Sequence, residues 1–394
     1  NRSVHLNTVF YQSAKIVNPA TAKPGVALFD SGSDPYLMSG VAQWRYDHPQ
    51  SRVLLSFGGW GDDTQGTHPS ADIQSVLEAG DVVVLAHQMV DAAVADGFNG
   101  VDIDLEWWGA PGTHTLTPAE AKKFVQLFDE IRAYENQLES VFPALGPLYL
   151  SIAAPGGAQN ASLLEDPQYA PNGWKRISND VNFFDPMTYD FYVAGDDQPA
   201  DHQSRYSGGV NDHFSIEGLL TYYHKVGVDS SKVSLGVPVY ARSEFGVPST
   251  GRPGLSDFSH STDTPYSGLG GGVLSYKCLI ADQLALPLID GCASLENDFQ
   301  ELLPASTYHH ADDPDNQAIL APWLIASDNK NNRALLSFDD VTSVDLKMQK
   351  VLQQGLSSGG GFLWELDMDV SPLDAQYYTD YSLLEAVYHR LQSV

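Results

Sequence analysis

Asn99-Gly100-Val101-Asp102-Ile103-Asp104-Leu105-Glu106 reads as a strand with two unlike faces. Successive side chains of a strand point to opposite sides, so Asp102, Asp104 and Glu106 share one face and Val101, Ile103 and Leu105 the other. The apolar face suits covering helices. The acidic face has no stability rationale, because charge buried without partners costs heavily. The plain alternative is an exposed edge strand with one solvated side. The apolar alternation and the Gly100 entry fit a central strand instead. Same-face residues climb by roughly 6–7 Å along a strand. Glu106 therefore stands at the C-terminal mouth, Asp104 beneath it and Asp102 deepest. Neighbouring carboxylates resist ionising together, so at least one has its pKa raised and keeps a proton it can donate.

Strand-like runs recur on both sides of this segment, at Val4–Tyr11, Val53–Phe57, Leu148–Ala153, Val181–Met187, Val233–Tyr240 and Gly361–Trp364. Helical patterns lie between most of them. Thr117 and Glu120 form a capping-box pattern with Pro118 at the first helical position, and Phe124, Leu127, Phe128 and Ile131 follow on one face. A second helix is expected over Asp81–Asp96, stopped by Gly97, and a last one over Leu373–Leu391. Strand–helix alternation implies a parallel sheet, and the fold class expected is α/β, a (β/α)8 TIM barrel. Seven strands can be counted where closure needs eight. Val26–Phe29 is a candidate for the eighth, but Gln12–Gly25 holds Pro19 and Pro24 and no helical pattern, a poor crossover. The spacing breaks after Tyr240, in a stretch rich in Gly, Pro and Ser. The organisation expected is a catalytic barrel over 1–242 and 325–394, with a small α+β insertion over 243–324 after strand seven.

Of 394 residues, 43% are hydrophobic and 18% charged, enough for a large core. Fifty acidic against 21 basic residues give a net charge of −29. Such a surface repels phosphate backbones, which argues against nucleic-acid partners. It suits neutral or cationic partners, or simply solubility. There is no apolar run of the roughly 20 residues a membrane helix needs. The chain opens on Asn1 rather than Met, which suggests a processed, secreted product. Cys278 and Cys292 read best as one disulfide, with two buried thiols as the alternative. The run His309-His310-Ala311-Asp312-Asp313-Pro314-Asp315 lacks the spacing that would fix a metal geometry, so a solvated loop is expected and no metal or cofactor is assigned.

The acidic strand resembles the D-G-x-D-x-D-x-E signature of family 18 glycoside hydrolases, the chitinase family. Asn99 stands where that signature has its first Asp, a mainly structural position. Further segments match in order. Ser56-Phe57-Gly58-Gly59-Trp60 resembles the S-x-G-G motif closing strand three, and Met187-Thr188-Tyr189-Asp190 the M-x-Y-D motif of strand six. Tyr240-Ala241-Arg242 resembles the Tyr-Gly-Arg after strand seven, and Trp364 the tryptophan that floors the sugar pocket. Leu274-Ser275-Tyr276 and Ala321-Pro322-Trp323-Leu324 resemble the α+β insertion of the deep-cleft subfamily. The resemblance runs from Val4 nearly to the end. It puts Val4–Tyr11 on the family's second strand, which makes the first strand missing or degenerate.

The resemblance implies hydrolysis of chitin or chitooligosaccharides with the substrate's own acetamido group as nucleophile. Glu106 would protonate the leaving oxygen and later activate water. Asp104 would turn to orient the acetamide, with Asp102 sharing a proton below it, and Tyr189 would hold the acetamide oxygen. Asp190 and Arg242 would contact sugar hydroxyls or each other. Trp364, Met187, Tyr240, Trp60, Trp107 and Phe10 are the remaining candidates for the sugar site, with Ser56, Gly58 and Gly59 as its structural frame. Trp108 and Trp323 divide evenly between cleft and core, and Trp44 reads as helix packing. A monomer is expected. The rival readings are a non-catalytic chitin-binding lectin on the same barrel and an endo-β-N-acetylglucosaminidase acting on N-glycan cores. The intact acids argue against the first, and the long insertion against the second.

Overall fold

A computed structural model describes residues 6–28, 34–60, 69–104, 106, 116–157, 162–193, 201–208, 214–245, 273–283, 307–327, 333–370 and 378–393. Strand β1 (Thr8–Val17) turns back into a short β2 (Gly25–Leu28), and α1 (Asp34–Asp47) leads to β3 (Arg52–Gly58). Two helices, α2 (Pro69–Ala79) and α3 (Val82–Ala95), precede β4 (Gly100–Asp104). Then α4 (Pro118–Val141) precedes β5 (Tyr149–Ala154), α5 (Gly173–Asp180) precedes β6 (Phe183–Pro186) and α6 (Ile216–Lys225) precedes β7 (Ser234–Pro238). A second sheet follows, formed by β8 (Tyr240–Phe245), β9 (Val273–Ser275), β10 (Thr307–His309), β11 (Trp323–Ser327) and β12 (Arg333–Ser337), with α7 (Tyr276–Gln283) after β9. The chain returns through α8 (Val341–Gln353) to β13 (Gly360–Trp364), then α9 (Tyr378–Tyr381) and α10 (Leu383–Gln392).

Seven strands, β1, β3, β4, β5, β6, β7 and β13, stand side by side in chain order, each parallel to the next. This is the wall of a (β/α)8 barrel with seven strands among the described residues. Val101, Ile103, Leu150 and Ile152 point outward into a core shared with Leu85, Met89, Phe124 and Phe128. The pairing puts Gln12, Ser56, Asp102 and Ser151 at one level. Gly58, Asp104, Ala153 and Asp185 lie one step higher. Gly100 is required at the foot of β4: its φ is +151°, and a Cβ there would sit 1.9 Å from the Tyr149 carbonyl oxygen.

The candidate eighth strand at Val26–Phe29 is corrected by the pairing. β2 runs antiparallel to β1, with Ala14 opposite Leu28 and Val17 opposite Gly25. A hairpin needs no helical crossover, so the prolines before it are tolerated. Among the described residues no ladder joins β13 to β1. β13 is half-buried from Gly361 to Trp364, as is β1 from Thr8 to Tyr11, whereas β4 and β7 are buried throughout. Phe10 and Phe362 meet edge-on between them, ring centroids 5.8 Å apart.

The expected strand over Val233–Tyr240 is two strands. Pro238 has no N–H to extend the ladder, and the Val239 N–H turns to the Trp364 carbonyl. From Tyr240 the chain enters the antiparallel sheet, ordered β10-β11-β12-β8-β9, which draws in residues on both sides of 243 and 324. Gln203 ties this sheet to the barrel through the carbonyls of Tyr240 and Ser337, at 2.8 and 3.1 Å. Of the single helix expected over Leu373–Leu391, residues 373–377 lie outside the described residues and the rest is broken at Ser382 into α9 and α10. Ser382 caps α10, and the Asp369 carboxylate accepts from the N–H groups of Leu383 and Leu384. The Thr117 capping box forms as the sequence predicts, and the helix expected over Asp81–Asp96 forms over Val82–Ala95 with Asp81 as its cap.

Candidate active site

The three carboxylates of β4 and its extension rise through the barrel, and β3 with the two residues after it meets each level. At the bottom, Asp102 accepts from Ser56 Oγ at 2.7 Å and from Ser151 Oγ at 2.6 Å. In the middle, the Gly59 N–H donates to the Asp104 carbonyl at 2.9 Å. At the top, the Trp60 N–H donates to Glu106 Oε1 at 2.9 Å. The Ser-x-Gly-Gly-Trp segment is thus a rack for the acids. Positive φ at Gly58 and Gly59, 107° and 99°, bends its end over Asp104.

Burial raises the pKa of all three acids. For Asp102 the hydrogen bonds from Ser151 and Ser56 oppose it. Asp104 is pushed well above the usual carboxylate range by burial and then by the charges of Glu106 and Asp102. Glu106 is raised by burial, opposed by hydrogen bonds from Asp104 and the Trp60 N–H. Asp104 and Glu106 are thus hydrogen-bonded to each other and hold a proton between them. Tyr189 lies beside them, its phenol raised well above 10 by burial and by the charges of Tyr240, Asp104 and Glu106. It remains a hydrogen-bond donor at any working pH.

A cavity of about 1050 Å³ runs down the barrel from this mouth. Glu106, Asp104, Asp102, Ser56, Tyr189 and Trp364 line it, as do Phe10, Met187, Asp190 and Tyr240. Tyr189 packs between Tyr240 and Phe362, each with ring centroids 6.3 Å away. Arg242 stands behind the lining and grips Asp190 with two parallel bonds, Nε to Oδ1 at 2.7 Å and Nη2 to Oδ2 at 2.5 Å. Burial alone would lower the Arg242 pKa, and the adjacent Asp190 carboxylate more than reverses that. The contact expected between the two side chains is formed.

The other candidates separate. The Trp60 ring is 55% exposed beside the mouth. Trp323 is buried in the second sheet, stacked on His309 at 3.7 Å, which assigns it to packing. Trp44 of α1 stacks on His48, just past the helix end. Trp107, Trp108 and Cys292 lie outside the described residues; Cys278 is buried on α7. The 309–315 segment closes on itself, with the His310 N–H bonded to Asp313. Among the described residues no group of three or more His, Cys, Asp or Glu side chains is placed to hold a metal ion.

Four residues at the site, Ser151, Gln12, Asp185 and Phe362, were not singled out by sequence. Ser151 binds Asp102. Gln12 Nε2 donates to Asp104 Oδ2 at 3.2 Å. Asp185 is buried with one carboxyl oxygen unpartnered among the described residues. Its pKa is raised to about 7 by burial, against a hydrogen bond from Ser234 and with the Asp102 charge adding to it. Phe362 packs on Tyr189. The usable signal was a lone polar residue inside an apolar strand, as in Leu150-Ser151-Ile152 and Phe184-Asp185-Pro186.

Comparison with known proteins gives one family. The model of glycosyl hydrolases family 18 matches residues 5–369. Chitotriosidase-1 of Mus musculus is 25% identical over 343 residues, 86% of this chain and 62% of its own length. Chitinase C of Streptomyces lividans is 24% identical over 82% of this chain and 43% of its own. The chain spans 25–62% of the length of such curated relatives. Among solved structures, catalytic domain 2 of the group II chitinase of Ostrinia furnacalis superposes with a TM-score of 0.71 at 20% identity, over 98% of this chain and 89% of that one. Human YKL-39, described as a pseudo-chitinase with retained chitooligosaccharide binding, superposes at 0.69 and 19% identity, over 98% and 91%. These structures share the fold.

Proposed function

The chain belongs to glycosyl hydrolases family 18, and from that premise we propose that it is a catalytically active chitinase. It would cut β-1,4 linkages between N-acetylglucosamine units with retention, the acetamido oxygen serving as nucleophile. The observation that carries this reading is the column of Asp102, Asp104 and Glu106, met in turn by Ser56 of β3, by the Gly59 N–H on the Asp104 backbone and by the Trp60 N–H on Glu106. A scaffold that only binds sugar gains nothing from stacking three carboxylates against their burial cost.

Each role follows from position. Glu106 is at the mouth with its pKa raised by burial, and gives a proton to the leaving oxygen. Asp104 is beside it and stabilises positive charge as the acetamide closes onto the anomeric carbon. Asp102, fixed by two serines, keeps charge beneath Asp104. Tyr189 donates to the acetamide oxygen and holds it in line. Trp364 and Phe10 offer apolar faces to the sugar, and the Arg242–Asp190 pair stiffens the wall beside it. A Cys278–Cys292 disulfide, an insertion over 243–324 flanking the cleft, secretion and a monomeric state belong to the same proposal.

Chitohexaose and a high-mannose glycopeptide, offered separately, test it. Chitohexaose should be cut, with β-anomeric product first by NMR; α-anomer first removes the mechanism. Cleavage of the glycopeptide alone would move the protein to endo-β-N-acetylglucosaminidase. Glu106→Gln should lower kcat by at least ~100-fold while oligosaccharide binding persists. Full residual activity would take the role away from Glu106.

A further inference from the structure

We infer that Gln12 is a positioning residue, whose side-chain amide latches Asp104 towards Glu106 before any substrate arrives. This rests on the catalytic reading above and adds a part to it. The amide nitrogen reaches Asp104 Oδ2 at 3.2 Å, and Asp104 also shares a hydrogen bond with Glu106. Asp102 below has a serine hydroxyl on each of its oxygens, and it acts on Asp104 by repulsion of charge. Asp104 is therefore hydrogen-bonded to both Gln12 and Glu106 and repelled by the charge beneath it.

Two features of the backbone build the path for this bond. The pairing of β1 with β3 slips immediately after Gln12: Gln12 lies opposite Ser56, but Ala14 lies opposite Phe57. A bulge of this kind bends a strand and re-aims the side chain next to it. Gly59 supplies the space. A Cβ on Gly59 would stand 2.0 Å from the Gln12 amide nitrogen and 3.5 Å from Asp104 Oδ2. The second glycine of the Gly58-Gly59 pair thus does two things: it turns the chain over Asp104 and leaves a slot for Gln12.

The chemical consequence has a definite sign. A donor on a carboxylate favours its charged form, so Gln12 works against the burial and the neighbouring charges that raise Asp104. It helps supply the anion that the oxazolinium ion needs, already in the orientation where it acts. Removing the amide should raise the Asp104 pKa and slow the chemical step, while sugar binding, which Gln12 does not provide, stays.

Two measurements read this separately. The first is a carbon-13 carboxyl NMR titration of aspartate-labelled protein, with Asp104 assigned through Asp104→Asn. In Gln12→Leu the Asp104 transition should move to higher pH; an unmoved transition overturns the latch, whether or not the protein is an enzyme. The second is kinetics on 4-nitrophenyl diacetylchitobioside. Gln12→Leu should lower kcat about tenfold with KM within about twofold, and shift the acidic limb of kcat upward. Gln12→Glu should be poor at neutral pH and recover relative to Gln12→Leu as acid restores a proton that can be donated to Asp104. A purely structural role would give neither the limb shift nor that recovery, and melting temperatures monitor the fold. Wild-type kcat and limb in Gln12→Leu sink the latch and leave the catalytic reading standing. Absence of cleavage by the wild type sinks the catalytic reading, and the titration still decides the latch.

Discussion

Asp102 is the residue on which the column rests, and its environment is set by two hydroxyls. Ser151→Ala leaves one carboxylate oxygen buried without its 2.6 Å donor. The expected result is a higher Asp102 pKa and a loss of kcat of about tenfold, with KM little changed. Steady-state kinetics on chitooligosaccharides checks it. Ser151 escaped notice in the sequence because a lone serine in Leu150-Ser151-Ile152 is informative only once its register with Asp102 is known. The acids themselves were legible, since three carboxylates at strand spacing have no bland rationale. Glu106 gives a second expectation at this scale. The acid must be protonated to act, and burial raises its pKa. The alkaline limb of kcat/KM should therefore lie above the ordinary range of a glutamate. Trp60 and Asp104 oppose the shift, so a limb at the ordinary glutamate value would mean that they win and that burial at the mouth is slight. A pH–rate profile decides.

Among the elements, helices whose ends carry their own signals were read closely. For α4 the Thr117 hydroxyl accepts from the Glu120 N–H at 3.3 Å, and the Glu120 carboxylate accepts from the Thr117 N–H at 2.6 Å. Thr117→Ala should cost about 1 kcal/mol, visible as a lower urea midpoint with kcat unchanged. A loss of activity at unchanged stability would mean that the segment leading from Glu106 into α4 is coupled to the site. Elements defined by distant partners were read less well. The hairpin of β1 and β2 looked like a failed crossover, because its antiparallel pairing is a tertiary fact. Strand β8 looked like the tail of β7, because its pairing with β9 and β12 is what separates them. The start of α10 depends on Asp369, which precedes its Ser382 cap by 13 positions. Local rules reach one turn or one pleat, and these elements are settled by contacts beyond that.

For the molecule as a whole, barrel closure was the least legible property, since it depends on how β13 approaches β1 and not on either strand's composition. Acids are buried inside the barrel and beneath its helices, which gives the protein a pH dependence of its own. Asp185 and Glu135 are both raised to about 7, chiefly by burial. In the unfolded chain such groups ionise near pH 4. Between those values the folded state holds protons that the unfolded state has released, so these acids weaken the fold progressively as pH rises from about 4 to 7 and fully above it. His202 works in the opposite sense. It is buried, and burial, with the charges of Arg205 and Lys347, holds its pKa well below the usual histidine range. Its contribution to stability is present above the unfolded value and lost as pH falls below about 6.5. The two effects separate in a variant. Asp185→Asn keeps volume and a partner for Ser234 but cannot ionise. Its melting temperature should exceed that of the wild type by a margin that is small near pH 4, grows through pH 6 and levels off by pH 8, with a limiting gain of a few kcal/mol or roughly three pH units of linkage. Melting curves at four pH values check it. A margin that stays constant with pH would mean that Asp185 is ionised in the fold, and that the cavity around it is wet enough to solvate the charge.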